Sequence, residues 1–204
     1  MTSSEIVTQK KIILASGSAI RKQMLVNAGL FFSIQQSELN ESEIKKKFND
    51  KPFKERVIKL ASAKAAVISA KNPESYVIGA DQMCVCGEDI LDKAGNFENA
   101  VKILSMLSGK THQQYSGVCV FYNGESLWSY ADQASLTMHK LSQEEIISYI
   151  KTDEPFQCSG CYKFESHGVN LFLKVEGSHH TIQGLALLPL LNTLRDIGLY
   201  SLKN

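Results

Sequence analysis

Four charged residues sit where apolar patterning would place a hydrophobe or a turn, and each has chemistry open to it. Asp81 ends the apolar run Tyr76-Val77-Ile78-Gly79-Ala80. Ligands in α/β proteins gather at the carboxyl ends of strands, and a carboxylate there can hold a metal ion or take a proton from water. A turn or cap residue is the plain alternative. Lys64 shares a helical face with Val57, Ala61 and Ile68, so its ammonium either snorkels to solvent or points into a polar cavity. Arg21 falls within the arc of Ile20, Met24, Leu25 and Ala28, and follows the small-residue turn Ser16-Gly17-Ser18. Free N–H groups at a helix start, two hydroxyls and a guanidinium make a cradle for phosphate, whereas an ordinary Ser-capped helix with a surface Arg needs no ligand. The G-x-x-x-x-G-K-[ST] phosphate loop is absent. Lys93 follows another short apolar stretch and either meets an anion or is solvated.

The thiols and imidazoles carry weaker signals. Cys84 and Cys86 form C-x-C, and Cys158 and Cys161 form C-x-x-C. Four thiols suffice for tetrahedral zinc, but the spacing is not that of a zinc ribbon, and Cys84 and Cys86 on one strand face fit packing as well. His179-His180 falls in a polar turn. His112 and Ser116 flank an extended segment that can line a cleft.

The elements that must position these residues alternate between strand and helix. Lys11–Ser16 reads as a buried strand, followed by a helix that Gly29 stops, and Phe31–Gln36 as a second strand. Ser37–Asp50 is polar, with a loop and a short helix or turn. A longer helix spans roughly Phe53–Ala70, ended by Asn72-Pro73. Tyr76–Ala80 is a strand, with Gln82–Cys86 extended beyond it and a turn at Gly87–Asp89. Asn96 caps a helix, and Thr111–Met138 alternates around the hairpin turn Asn123-Gly124. Ser142 and Glu145 form a capping box that opens a helix to about Lys151. Gly160–Gly168 reads as irregular, Val169–Val175 as a strand, and Pro189 lies early in a last helix ending near Gly198. No repeat or linker divides the chain, so a polar tail (1–10) and a single α/β domain (11–204) are expected.

Composition narrows the partners. The 204 residues include Lys+Arg 22 against Asp+Glu 21, a net charge of +1. That balance gives no basic footprint for a nucleic acid polymer. The longest apolar run, Leu185–Leu191, falls far short of the ~20 residues that span a bilayer. The opening MTSSEIVTQKK lacks an apolar signal core, and five cysteines are an odd number for a disulfide framework. Both point to a reducing, cytoplasmic setting without membrane attachment.

Read in order, these segments resemble the Maf family of nucleotide pyrophosphatases. Leu14–Leu25, LASGSAIRKQML, is similar to the family opening L-A-S-x-S-P-R-R-x-x-L-L. VIGADQM at Val77–Met83 is similar to V-I-G-A-D-T-V, and ILDKA to I-L-G-K-P. Leu107–His112 matches L-S-G-x-x-H, EPFQCSGCYKFE resembles E-P-x-x-x-x-G-x-Y with a following Gln-Gly, and GLALLPLL resembles the G-L-P-L of the last helix. Lys64 matches the Lys of A-x-x-K-A. The chain departs from the pattern at Ala19 and Ile20 (for Pro and Arg), Asn40 (for Asp, with Glu41 retained), Gln82 (for Thr), Glu165 (for Gln) and Ala186 (for Pro), as a divergent subgroup would.

The resemblance implies a Maf-like fold, an elongated mixed β-sheet flanked by helices with a central cleft. It implies hydrolysis of a canonical or modified nucleoside triphosphate to monophosphate and pyrophosphate, with Mg²⁺ or Mn²⁺. Ser16, Ser18 and Arg21 would then bind phosphate, and Lys64 and Lys93 would neutralise charge on the α-phosphate and leaving group. Glu41 and Asp81 would hold the metal, Asp81 would also activate water, and Gln82 and Glu165 would contact substrate. A homodimer is common among look-alikes. A non-catalytic nucleotide-binding or cell-division regulatory protein on the same fold is the main alternative, and a zinc or thiol-redox protein built on the four cysteines the lesser one.

Overall fold

The segment KIILA is apolar almost throughout because it is covered on both faces, as strands of parallel sheets are. It forms β1 (Lys11–Ala15), four of whose five residues are buried. In the computed structural model, which describes residues 10–201, β1 leads through the Ser16–Ser18 turn into α1 (Ala19–Asn27) and then β2 (Ser33–Ile34). Next come α2 (Glu41–Lys47), α3 (Phe53–Lys71), β3 (Ser75–Cys86), β4 (Asp89–Leu91) and α4 (Phe97–Leu107). The hairpin β5 (Thr111–Tyr122) and β6 (Glu125–Met138) follows, then α5 (Gln143–Asp153), β7 (Phe172–Glu176), α6 (His179–Ile182) and α7 (Leu187–Asp196).

The strands form one mixed sheet in the order β2-β1-β3-β5-β6-β7, with β4 also on β3. Helix α3 covers one face, where Ala61 and Ala65 pack on Ile13, Ala15 and Val77, and Val57 and Leu60 pack on Met83 and Val85. Residues from α1 and α7, including Leu25 and Leu190, cover Ile78 and Ala80 on the opposite face. A third apolar cluster joins α4 and α5 to the far end of β6, with Cys84 of β3 and Leu91 of β4.

The strand pairing around β3 is interrupted on one edge. The parallel pairing of β1 with β3 stops at Ala15 opposite Gly79. On that same edge β4 resumes antiparallel pairing only at Cys84, while the other edge of β3 pairs with β5 without interruption from Val77 to Val85. Residues 80–83 of β3 therefore face a break in the sheet, between the end of β1 and the end of β4.

Several expectations need correction. Asp81 does not end a strand: β3 runs unbroken from Ser75 to Cys86, because β5 holds it throughout. It lies instead just beyond the carboxyl end of β1. The strand expected over Phe31–Gln36 shrinks to Ser33–Ile34, both exposed, on an outer edge. Val169 lies in a single 3-10 turn, His167–Leu171, and β7 starts only at Phe172. His179-His180 does not fall in a turn but opens the short α6. The tail expected over 1–10 falls outside the described residues except for Lys10, as does the stretch read for a signal core up to residue 9. Among the described residues no helix is long and apolar enough to cross a membrane.

Candidate functional site

The break in the sheet opens into a cleft of about 780 Å³, within the size range of small-molecule sites. Its first wall is the turn after β1. Ser18 caps α1, its Oγ accepting from the Arg21 N–H at 3.5 Å. Ser16 Oγ accepts from the Ser18 N–H at 3.3 Å and from Arg21 Nη1 at 3.1 Å. Both hydroxyl oxygens therefore act as acceptors within the turn, which leaves each O–H proton to be donated to an anion.

Arg21 is buried and acts as a strut. Nε donates to Gly184 O at 2.7 Å and Nη1 to Ala80 O at 3.1 Å, tying the turn to β3 and to the α6–α7 connection. Its hydrogen bond to Ala80 satisfies a carbonyl beside the sheet break. Burial lowers the guanidinium pKa while Asp81 and Glu41 raise it, and an arginine stays charged through such a contest. Nη2 makes no hydrogen bond among the described residues. Arg21 thus both shapes the cradle and keeps an N–H group for a ligand.

The second wall joins α3, β3 and α2. Lys64 does not snorkel to solvent: its Nζ lies 2.6 Å from Asp81 Oδ1 and 3.0 Å from Glu41 Oε1. The side chains of Lys64 and Asp81 are 12% and 9% exposed, so the pair sits largely out of water, where its attraction is least screened. Burial opposes ionisation of Glu41, but Lys64, with Lys45 and Lys93 behind it, outweighs that and holds the carboxyl below its ordinary value. Glu41 stands on a helix with no buried residue. Its position rests on the Lys64 pair, on a salt bridge from Lys45 to Asp92 at 2.5 Å and on Ile44, which packs against the Val57–Leu60 cluster.

Lys93, Gln82 and Glu165 complete the expected set along the same cleft. Lys93 is exposed and bridges by its backbone to Ser159. The nine candidate residues Ser16, Ser18, Arg21, Glu41, Lys64, Asp81, Gln82, Lys93 and Glu165 all line this one cavity. Sequence reading missed Lys45, Asp92, Tyr162 and Phe164, which also line it. The aromatic pair lay in plain view inside the EPFQCSGCYKFE segment, but nothing in its spacing marked a direction. His112 and Ser116 are wholly buried beneath the cleft.

The thiols form no centre. All five cysteines are free, and burial raises the thiol pKa of Cys119 and Cys161 to about 12. Among the described residues no group of three or more His, Cys, Asp or Glu is placed to hold a metal. The zinc reading therefore has no ligand set. Asp81 and Glu41 nevertheless supply the hard carboxylate oxygens that suit Mg²⁺ or Mn²⁺, which commonly take one or two carboxylates and complete their shell with phosphate and water. The donor chemistry fits an ion brought in with a phosphate ligand.

A cleft at a break in a mixed α/β sheet, lined by a Ser-Gly-Ser turn and by interleaved cations and carboxylates, among them Arg21, Lys64, Lys93, Glu41 and Asp81, defines a site for a small phosphate-bearing ligand. The family model described as Maf-like protein matches residues 11–197, and the chain belongs to this family. It is similar to a nucleoside triphosphate pyrophosphatase of Legionella pneumophila strain Corby, 42% identical over 95% of this chain and 97% of the relative. It is also similar to a 7-methyl-GTP pyrophosphatase of Rhizobium etli, 38% identical over 92% of this chain and 96% of the relative. Among solved structures, a dITP/XTP pyrophosphatase of Mycobacterium abscessus superposes with a TM-score of 0.41 at 14% identity, over 64% of this chain and 75% of that one.

Proposed function

We propose that the chain is a nucleoside triphosphate pyrophosphatase, hydrolysing its substrate to a nucleoside monophosphate and pyrophosphate within one domain spanning residues 11–204. The observation that carries the reading is the Asp81–Lys64–Glu41 group on the wall of a cleft whose facing turn offers hydroxyls and a guanidinium. The names of the relatives support the same reading.

Ser16, Ser18 and Arg21 bind phosphate oxygens at the start of α1, where the helix dipole adds to the attraction. Asp81 Oδ1 is held by Lys64, and Oδ2, with no partner among the described residues, accepts the proton of the attacking water. The water oxygen bonds to the α-phosphorus, the bond to the bridging oxygen breaks, and pyrophosphate leaves with the charge that Lys64 and Lys93 neutralise. Mg²⁺ or Mn²⁺ on Asp81 and Glu41, when bound, supplies further charge neutralisation to the phosphates. Purified protein incubated with a panel of nucleoside triphosphates should yield equimolar monophosphate and pyrophosphate. Orthophosphate as the first product, or binding without turnover on every substrate, would sink the reading.

A narrower substrate is favoured by Glu165. A carboxylate lining the cleft complements the positive charge of a 7-methylated guanine. We expect 7-methyl-GTP to be preferred over GTP, and Glu165→Gln to erase most of the preference. The reading carries with it a cytoplasmic location and a homodimer, the latter checked by sedimentation.

A further inference from the structure

Helix α2 is fastened across the cleft by charge at two points. Glu41 and Lys45 stand four residues apart, so they share a helical face, and both line the cleft. Glu41 Oε1 pairs with Lys64 Nζ at 3.0 Å, on the side of α3 and β3. Lys45 Nζ donates to Asp92 Oδ1 at 2.5 Å, on the side of the residues that follow β4. Asp92 also lines the cleft and directly precedes Lys93. The family pattern I-L-G-K-P has glycine where ILDKA places Asp92. Glycine offers no carboxylate, so the second fastening is a departure of this chain.

The two fastenings differ in how firmly they hold. Lys64 is shared between Glu41 and the buried Asp81, and its own side chain is largely out of water. The Lys45 and Asp92 side chains are 35% and 70% exposed. Water already solvates much of that outer pair, so its two charges lose little when they part. Lys45 is therefore a cation that a stronger anion can take from its carboxylate, whereas Lys64 is committed.

The place of Lys45 in the cleft says which anion that is. With the attacking water at Asp81 and pyrophosphate leaving toward Lys93, the last phosphate extends past Lys93 to where Asp92 and Lys45 meet. The ammonium groups do gather on this side: burial opposes ionisation of Glu41, and Lys64, Lys45 and Lys93 together outweigh it. A terminal phosphate carries more charge near neutral pH than one carboxylate does, and it offers three acceptor oxygens. It can therefore take Lys45 from Asp92, whose carboxylate then returns to water at small cost.

We propose that Lys45 is a specificity-determining residue that binds the terminal phosphate of a triphosphate, and that Asp92 holds Lys45 in reserve until such a phosphate displaces it. A diphosphate ends short of Lys45 and leaves the pair closed, so the pair selects for the length of the phosphate chain. This deepens the nucleotide reading of the same cleft and rests on it.

The test compares dissociation constants for the α,β-methylene analogues of GTP and GDP at one fixed ionic strength, which needs no turnover. Wild type should bind the triphosphate more tightly. Lys45→Met should cut that preference about tenfold, the weight of one charge-assisted hydrogen bond, and should act on the triphosphate and not the diphosphate. Lys45→Arg should keep most of the preference. Asp92→Asn breaks the same salt bridge from its other end, yet it should raise the preference a few-fold, because no carboxylate then competes for the ammonium. In the double variant that gain should vanish, since Asp92 acts through Lys45. If Lys45 merely propped α2 in place, both single variants would weaken both ligands alike, and that result would overturn the proposal. An unchanged preference in Lys45→Met would overturn it too. Should Lys45→Met melt below the assay temperature, Asp92→Asn decides alone: a raised preference supports the proposal, and an equal or lower one overturns it. Absence of pyrophosphate release with the preference intact would defeat the enzymatic reading alone.

Discussion

At the scale of single residues, the cleft depends on charges that hold one another in place. Lys64 sits between Asp81 and Glu41, and a substrate phosphate approaching it competes with Glu41 for the same ammonium. Removing a charge from such a group exposes the others. The Glu41 carboxyl is held below its ordinary value in the folded chain, burial being outweighed by Lys64, Lys45 and Lys93. A depressed carboxylate pKa adds stability that is fully present above the unfolded pKa and lost as pH falls through the folded one. Urea unfolding from pH 6 down to pH 3 should therefore show wild type more stable than Glu41→Gln at the upper end. The difference should shrink toward acid. A constant gap between the two across that range would show that the Glu41–Lys64 contact contributes nothing through charge.

At the scale of elements, two glycines set how near α3 lies to the sheet. A Cβ on Gly79 would come 2.4 Å from Ala61 O, and one on Gly117 2.5 Å from Val57 O. Helix α3 can carry Lys64 to Asp81 only because its backbone rests directly on β3 and β5. Gly79→Ala should push the helix outward, costing about 1–3 kcal/mol as other overpacked sites do, read in the denaturation midpoint, and lowering turnover more than an apolar change on α7. Unchanged stability would contradict that close approach. Helix and hairpin signals were legible in the sequence: the Asn96 cap, the Ser142–Glu145 box and the Asn123-Gly124 turn all appear where local chemistry put them. The edge strand β2 was legible in place but not in length, because its pairing comes from β1 and not from its own residues. The continuity of β3 through Asp81 was hidden for a similar reason, since only β5, far along the chain, holds it straight. At the site, odd charges on apolar faces marked Arg21, Lys64 and Asp81. Nothing local marked Glu41, Gln82 or Glu165, which came from family resemblance, nor the struts that Arg21 sends to Ala80 and Gly184.

At the scale of the whole molecule, the near-zero charge of +1 conceals a sorted distribution. Cations such as Arg21, Lys64 and Lys93 and carboxylates such as Glu41 and Asp81, from the β1–α1 turn, α2, α3, β3 and the residues after β4, converge because the sheet breaks between β1 and β4. That arrangement suits a compact, highly charged ligand and gives no continuous basic track for a polymer. Turnover in this cleft requires Asp81 as the proton acceptor. The most direct measurement is kcat for pyrophosphate release by Asp81→Asn beside wild type, with thermal melts of both. Asparagine keeps the side chain's size and an oxygen near Lys64 but cannot take up the proton. Its kcat should be lower by at least about a hundredfold, the weight of a general base, in a protein that still melts cooperatively. A folded Asp81→Asn protein turning over within a few-fold of wild type would contradict it.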